Sequence, residues 1–308
     1  SFVSFGNVLV STIQDETGDT GFRKDDFLAK FRLNSDRGLD VYHELNFKYQ
    51  WSEESSDQTY VGLSDASFKN NAHERYGMTK YDNMDNDHES MSLNYVLDAG
   101  DFELSATVYE NDFARNWFKV DKIDNNKVYG IGNGINNIIG AANDGNLDAA
   151  AILNGENSEA VEIKLKNNNR VYESSGIDLK LSWSNEMHYV TAGYRETEDS
   201  EDRMQWYATA DWMNGEMGSL VEGAMPGYSS NNRLTSAESS AFHISDVIEL
   251  GNLTLNVGYR SEEWIIVQER YVDSARSALA TDYGYPRILA DSDNSLFGFG
   301  ATYDVSDN

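Results

Sequence analysis

The sequence predicts an all-β fold, an antiparallel transmembrane β-barrel segment of about ten strands. Three observations predict it: apolar and polar residues alternate with a period of two, tight turns alternate with long polar loops, and both prolines, Pro226 and Pro286, fall between the alternating segments. A proline cannot donate a hydrogen bond to a β-ladder, so these positions fit the pattern. No stretch approaches the roughly 18 consecutive apolar residues of a membrane helix.

The clearest strand covers residues 39–52. Its odd-numbered positions are apolar or aromatic apart from His43, and its even-numbered positions are polar or tyrosine. Because side chains alternate between the two faces of a strand, this segment has one apolar and one polar face, and it is about long enough to cross an outer membrane at a tilt. The same alternation predicts strands at 89–97, 102–108, 177–183, 188–194, 240–250, 253–259 and 296–303.

The connections between these strands are of two kinds. Tight turns rich in Asn, Asp, Ser and Gly alternate with polar stretches of about 30 to 60 residues. Outer-membrane barrels show this asymmetry, with short periplasmic turns and longer extracellular loops. The predicted turns are 34–38, 98–101, 184–186 and 251–252, and the predicted loops are 53–88, 112–172, 197–239 and 262–294.

Charge and composition exclude several classes of function. The chain has 24 Lys and Arg residues against 52 Asp and Glu residues, a formal net charge of −28, so it would repel a phosphate backbone and nucleic acid is not an expected partner. It has no cysteine, which excludes disulfides, thiolate catalysis and cysteine-ligated metals. Its five histidines are scattered without metal-ligand spacing, and no serine has a convincing base, so we expect neither an enzyme nor a resident cofactor.

Five segments carry a more specific signal than this alternation. In order and spacing they resemble the barrel of TonB-dependent receptors of the ferric dicitrate receptor type. A hairpin at 242–260, with Gly251 and Asn252 at its turn, is similar to the later hairpins of that family. The five segments are Ser-Asp-Gln-Thr-Tyr-Val-Gly-Leu-Ser-Asp at 56–65, Arg-Tyr at 75–76, Asp-Asn-Met-Asp at 82–85, His88, and Asn-Asp-Phe-Ala-Arg-Asn-Trp-Phe-Lys at 111–119.

The resemblance implies a bacterial outer-membrane receptor that takes up a ferric chelate, either a siderophore complex or ferric citrate, with energy supplied by TonB through a plug domain. Neither a plug domain nor a closing strand with a terminal aromatic residue is visible, so residues 1–308 are expected to form a partial barrel domain, roughly half of the family's 22 strands. The implied partners are the ferric chelate, TonB, and the lipid and lipopolysaccharide of the outer membrane.

Two other functions remain open from the residues alone. A passive porin or channel would take its selectivity from charges in the lumen, and an adhesin would bind a partner through its long loops. Both use the same scaffold, so the strand pattern does not distinguish them from a receptor.

Cations at strand–loop junctions are the candidate ligand-binding residues, because they suit an anionic chelate and arginine matches a carboxylate with a planar donor fork. Each could instead balance neighbouring acids. Three acids could hold Ca²⁺ in an extracellular loop through oxygen ligands, although most acidic runs are simply solvated. The candidate cations are Arg75, Arg115, Lys119, Arg195 and Arg203, and the candidate calcium ligands are Asp82, Asp85 and Asp87.

Overall fold

A computed structural model describes residues 2–15, 21–124, 131–223, 232–280 and 287–305. Long β-strands dominate it, and short helices occur only in the connections within these ranges. The strands are β1 (Phe2–Asp15), β2 (Phe22–Ser35), β3 (Tyr42–Ser56), β4 (Asn83–Ala99), β5 (Phe102–Asp124), β6 (Val161–Ser184), β7 (His188–Met213), β8 (Glu216–Met217), β9 (Val221–Glu222), β10 (Asn232–Leu250), β11 (Leu253–Arg270) and β12 (Arg287–Tyr303); the helices are α1 (Asp65–Asn70), α2 (Ile135–Asn143) and α3 (Leu147–Asn154), with a 3₁₀ turn at Gly77–Thr79.

The long strands form one antiparallel sheet in chain order, β1 through β7 and then β10, β11 and β12, with β8 and β9 paired to β7. The predicted all-β antiparallel fold is therefore confirmed. Short turns join β2 to β3, β4 to β5, β6 to β7 and β10 to β11, and they all lie at one end of the sheet, here called the turn end. Gly100 and Gly251 occupy two of these turns with φ of 73° and 65°, a left-handed conformation that glycine adopts without a Cβ penalty.

The strands reach further from the turns than the alternation predicts. The strand predicted at 102–108 continues to Asp124, and the one predicted at 177–183 begins at Val161. The predicted loops 53–88, 112–172, 197–239 and 262–294 are correspondingly too long. The error has a physical cause: beyond about ten residues from each turn both faces carry polar side chains, so the hydrophobic alternation ends although the backbone ladder continues.

The two faces of the sheet differ in chemistry near the turn end. On the apolar face, Phe31, Phe47, Leu93, Val108 and Ile177 lie side by side across β2 to β6. Three of these side chains are strongly exposed: Phe31 at 50%, Leu93 at 39% and Val108 at 46%. A continuous exposed apolar band of this kind requires an apolar environment.

The opposite face, here called the polar face, carries a hydrogen-bonded network at the same level. Arg32 Nε donates to Asn46 Oδ1 (3.1 Å), Asn46 Nδ2 donates to Asn94 Oδ1 (3.3 Å), and Asn94 Nδ2 donates to Thr107 Oγ1 (2.9 Å). One side chain from each of β2 to β5 takes part, so the network ties four strands together.

At the far end of the sheet, the loop end, the apolar face is covered. The helices α2 and α3 and the 3₁₀ turn pack there around Trp212, which is 1% exposed and whose Nε1 donates to the Ile152 carbonyl oxygen (2.7 Å). Asn146 caps α3 by accepting from the Ala149 amide, and Gly155 ends it at φ 73°. The sequence predicts a plain loop over 112–172, so both helices correct that prediction.

A β-bulge at Asp121 interrupts the pairing of β5 with β6. Val120 pairs with Leu165, and Lys122 pairs with Lys164, so Asp121 is the extra residue. After the bulge, Ile123 lies beside Ile163 and joins the buried core at the loop end.

Candidate ligand-binding face

Five arginines stand in one continuous row across the loop end of the sheet, one on each of β5, β6, β7, β10 and β11. Each is the direct cross-strand partner of the next. Directly paired residues share a face, and Arg115 is in phase with Thr107 on β5, so the row lies on the polar face. In order, the members of this arginine row are Arg115, Arg170, Arg203, Arg233 and Arg270.

A carboxylate bridges two members of the row. Glu201 receives Arg170 Nη1 at 2.9 Å and Arg233 Nη2 at 3.0 Å. Two further contacts are to neutral side chains: Arg203 Nη2 donates to Gln205 Oε1 (2.7 Å), and Arg270 Nη2 donates to Gln268 Oε1 (3.4 Å). The carboxylate of Glu201 offsets one of the five positive charges of the row.

The guanidinium groups are partly desolvated and repel one another. Burial, followed by the neighbouring charges of Arg233 and Arg170, lowers the pKa of Arg203. In the described residues, the Nε atoms of Arg115, Arg233 and Arg270 are buried without a hydrogen-bond partner. A buried donor without a partner is costly, and an anion would meet the half-buried guanidinium groups rather than these Nε atoms.

A second cationic group lies further from the turns than the arginine row. Lys119 pairs across the strands with Lys166, and Lys166 pairs with Tyr207. Asp121, on the bulge, accepts from Lys166 Nζ (2.9 Å) and from the Tyr207 hydroxyl (2.7 Å). Burial opposes ionisation of Asp121, but these two donors outweigh it and lower the pKa of its carboxyl, whereas burial and the bond to Asp121 raise the pKa of Tyr207.

Lys119 is held between two aromatic rings. Its Nζ lies 3.3 Å from the centre of the Tyr60 ring and 4.4 Å from that of Trp117, and the two rings meet edge to face with centres 5.6 Å apart. Burial lowers the pKa of Lys119 to about 8. These contacts fasten residues 57–64, here called the strap, against the polar face beside the arginine row.

Three further contacts hold the strap. Trp117 Nε1 donates to the Gln58 carbonyl oxygen (3.1 Å), and Asp82 accepts from Thr59 Oγ1 (2.7 Å) and from the Val120 amide (2.9 Å). Asp82 is 1% exposed, and burial raises its pKa to about 6. The strap is thus joined both to β5 and to the start of β4.

The five candidate cations lie in three different parts of the structure. Arg115 and Arg203 are members of the arginine row, and Lys119 lies beside it. Arg75 instead serves the strap, donating to the Asp57 carbonyl oxygen and to Thr79 Oγ1. Arg195 lies on the polar face closer to the turn end, paired with Asp178 and Ala241. No ligand tests any of these assignments, so ligand contact stays a prediction for all five.

Sequence reasoning missed Arg170, Arg233 and Arg270, although a usable signal existed for two of the contacts. Counting back from the tight turn of each hairpin pairs Arg170 with Arg203 and Arg233 with Arg270. The other two contacts cross long connections, where turn counting does not fix the register. The complete row therefore needs the folded sheet.

The three candidate calcium ligands are not gathered into one site. Asp82 is buried under the strap, whereas Asp85 and Asp87 are exposed on β4, on the face opposite the arginine row. Among the described residues, no group of three or more His, Asp or Glu side chains is placed to hold a metal ion. Calcium binding stays a prediction without support from this geometry.

The whole sheet is similar to solved outer-membrane receptor structures. The ferric citrate transporter FecA in its unliganded form aligns over 99% of this chain and 37% of its own, with 18% identity and a TM-score of 0.64. The siderophore receptor PiuA from Acinetobacter baumannii aligns over 100% and 44%, with 12% identity and a TM-score of 0.61. The ferric yersiniabactin uptake receptor FyuA from Yersinia pestis aligns over 99% and 40%, with 12% identity and a TM-score of 0.53.

The chain has the fold of these receptor barrels. At such identities the likeness shows the fold alone, and the chain spans less than half the length of each of these three proteins. No protein-family model matches the sequence, and no curated protein is detectably similar to it. Within the described residues, no helix has both the length and the apolar character needed to cross a membrane.

Proposed function

We propose that this chain is part of the barrel of an outer-membrane receptor that takes up an anionic ferric chelate. The observation that carries the proposal is the arginine row, because a chain with net charge −28 concentrates five guanidinium groups on one face of a receptor-type sheet. The structural neighbours include receptors described as binding ferric citrate and ferric siderophores, which supports iron chelates as the ligand class.

The apolar band supports a location in the bacterial outer membrane. Strands cross a bilayer only when neighbouring strands satisfy their backbone groups and one face is apolar; from β2 to β6 the strands are fully paired and their face near the turns is apolar. In this arrangement the short turns are periplasmic, the loop end is extracellular, and lipid and lipopolysaccharide surround the apolar face. The polar face then lines the lumen.

The arginine row would then lie above the membrane, where a scarce anion arriving from outside meets it first. A cationic row set in an acidic protein gives electrostatic selection for anions. Transport against a gradient requires energy, which in receptors of this type comes from TonB through a plug domain. We propose that this chain works with a plug and with further strands, consistent with the 37% to 44% of the neighbouring chains that it spans.

The affinity of arginine variants for ferric citrate tests the proposal. The protein in detergent micelles is titrated with ferric citrate while intrinsic fluorescence is followed, and Arg115→Gln and Arg203→Gln are compared with Arg260→Gln. Arg260 lies on the polar face of β11, nearer the turn end, and pairs with Glu262. Loss of one charge-assisted hydrogen bond predicts a decrease in affinity of about tenfold or more for each row variant and little change for the control.

Two results would contradict the proposal. If the row variants and the Arg260 variant bind the chelate equally well, the row is not the ligand contact. If the protein instead forms an open pore with steady conductance in a planar bilayer and binds no ferric chelate, it acts as a passive channel.

A further inference from the structure

The spacing of the arginine row is regular, and this regularity suggests a second ligand class. One guanidinium comes from every strand between β5 and β11 along the sheet order, with no strand skipped. Neighbouring strands lie about 4.8 Å apart, so the five positions repeat at that distance over roughly 19 Å. A compact chelate is too short to reach both ends of such a row.

The two end members are the least neutralised. In the described part of the chain, neither Arg115 nor Arg270 has a carboxylate partner; Arg270 contacts the amide of Gln268 and has a buried Nε without a hydrogen bond, and so has Arg115. Glu201 contacts two inner members of the row, Arg170 and Arg233. Unmet charge at both ends favours a ligand with anionic groups along its whole length.

Aromatic rings flank the row on β5 and β6. Trp117 stands two residues beyond Arg115, and Phe113 stands two residues before it, stacked on Tyr172 with ring centres 6.1 Å apart. The Tyr172 hydroxyl also accepts from Arg170 Nη1 (3.0 Å). Ring faces beside carboxylate-binding groups suit sugars that carry acids, because the apolar face of a pyranose can lie on the ring while its carboxylate meets the guanidinium.

We propose that the arginine row also binds a linear polycarboxylate, namely a 1,4-linked oligomer of uronic acid, laid across the strands so that carboxylates along its length meet the row from Arg115 to Arg270. Beyond Arg115 the row meets Asn86 and then Glu54, and this carboxylate limits the binding register to the five arginines. The inference uses the same face as the proposed function but does not require iron.

Calorimetric titration with oligogalacturonates of increasing length tests the inference, with the fully methyl-esterified oligomer of equal length as the neutral control. A longer oligomer reaches more of the row, so affinity should increase by about tenfold or more between dimer and pentamer, and the ester should bind at least about tenfold more weakly than the acid. Arg270→Gln should weaken the pentamer by about fivefold or more while leaving the dimer unchanged.

Arg115→Gln should have the same length-dependent effect from the other end, which keeps the test valid if one variant fails to fold. Equal affinity for dimer and pentamer, or for acid and ester, would overturn the inference. Ferric citrate titrated in parallel separates the two proposals: binding of the chelate without the oligomer refutes only the inference, and binding of the oligomer without the chelate refutes only the iron ligand.

Discussion

The apolar face of the sheet meets two different environments at its two ends. Near the turns, Leu93 and Val108 are exposed, whereas at the loop end Ile163 and Trp212, on the same face, are buried under α2 and α3. The backbone ladder is continuous between the two regions, although the hydrophobic alternation is not. The same face is therefore open at one level and covered by the chain's own helices at the next, and in the proposed membrane arrangement the change from one to the other would mark where the membrane ends.

The largest effect should come from breaking the covered region. Trp212→Ala removes the largest buried side chain of the loop end and its hydrogen bond to Ile152, and should lower the free energy of unfolding of that region by about 3 to 5 kcal/mol. Faster amide hydrogen exchange in α2 and α3 would measure this loss of stability. The matched control is Trp183→Ala, on the apolar face near the turns, which should leave that exchange unchanged; equal effects would show that the two ends are not independent.

Placing a charge on the exposed band is the next largest change. Val108→Arg, about midway along the band, should destabilise the folded protein in lipid vesicles by about 2 to 4 kcal/mol, because the guanidinium would face hydrocarbon. Thr107→Arg, one residue away on the polar face, is the control and should cost far less. The folded fraction is read from the mobility shift of unheated samples on gels. A larger loss for Thr107→Arg would assign lipid to the wrong face.

The loop end should also respond to pH through Asp82. Burial raises its pKa to about 6, whereas an unfolded aspartate titrates near about 4, so the folded state holds an extra proton between these values. The free energy of unfolding of the loop end should fall as pH rises from about 4 to about 6, by up to about 3 kcal/mol, and stay level above that. The contribution of Asp82 is the difference between the free energies of unfolding of the native protein and of Asp82→Asn, measured at each pH. A difference that increases with pH would contradict the prediction.

The smallest effect concerns the strap. Lys119→Gln removes the ammonium from between Tyr60 and Trp117 and should loosen residues 57–64 by about 1 to 2 kcal/mol, measured as faster proteolysis within the strap. Lys69→Gln, at the last turn of α1, is the control and should have no effect. Unchanged proteolysis in the Lys119 variant would mean that Asp82 and Trp117 hold the strap without it.

The sequence predicts the exposed region well and the covered region poorly. Alternation identifies the parts of β3 to β7 and of β10 to β12 near their turns, and Gly100 and Gly251 mark two of these turns. The prediction contains no strand over β1 or β2, although Phe31 of β2 belongs to the apolar band. It fails for the outer parts of β5 to β7, where polar residues such as Asn168 and Gln205 are buried on the polar face beside the arginine row. It also misses α2 and α3, whose apolar residues are buried against the extended strands behind them.

The candidate site divides in the same way. The sequence draws attention to Arg115, Lys119 and Arg203 because cations are scarce in an acidic chain. It does not show that Arg203 has an arginine on each side, because the register between β7 and β10 is set by folding across residues 214–231 rather than by a tight turn. Composition identifies which side chains are unusual, and pairing decides which of them act together.

The bulge at Asp121 shifts the two-residue alternation of β5 by one position. Because the bulge adds one position between Val120 and Lys122, Ile123 lies in the buried core and Lys122 lies on the polar face with the other cations. Replacing Asp121 would cost its bonds to Lys166 and Tyr207. Deleting it would cost the same bonds but would leave residues 122 to 124 on their present faces, because Val120 and Lys122 already pair with consecutive residues of β6. We therefore expect substitution and deletion at position 121 to act through the same lost contacts, whereas insertion of a second residue there would exchange the two faces.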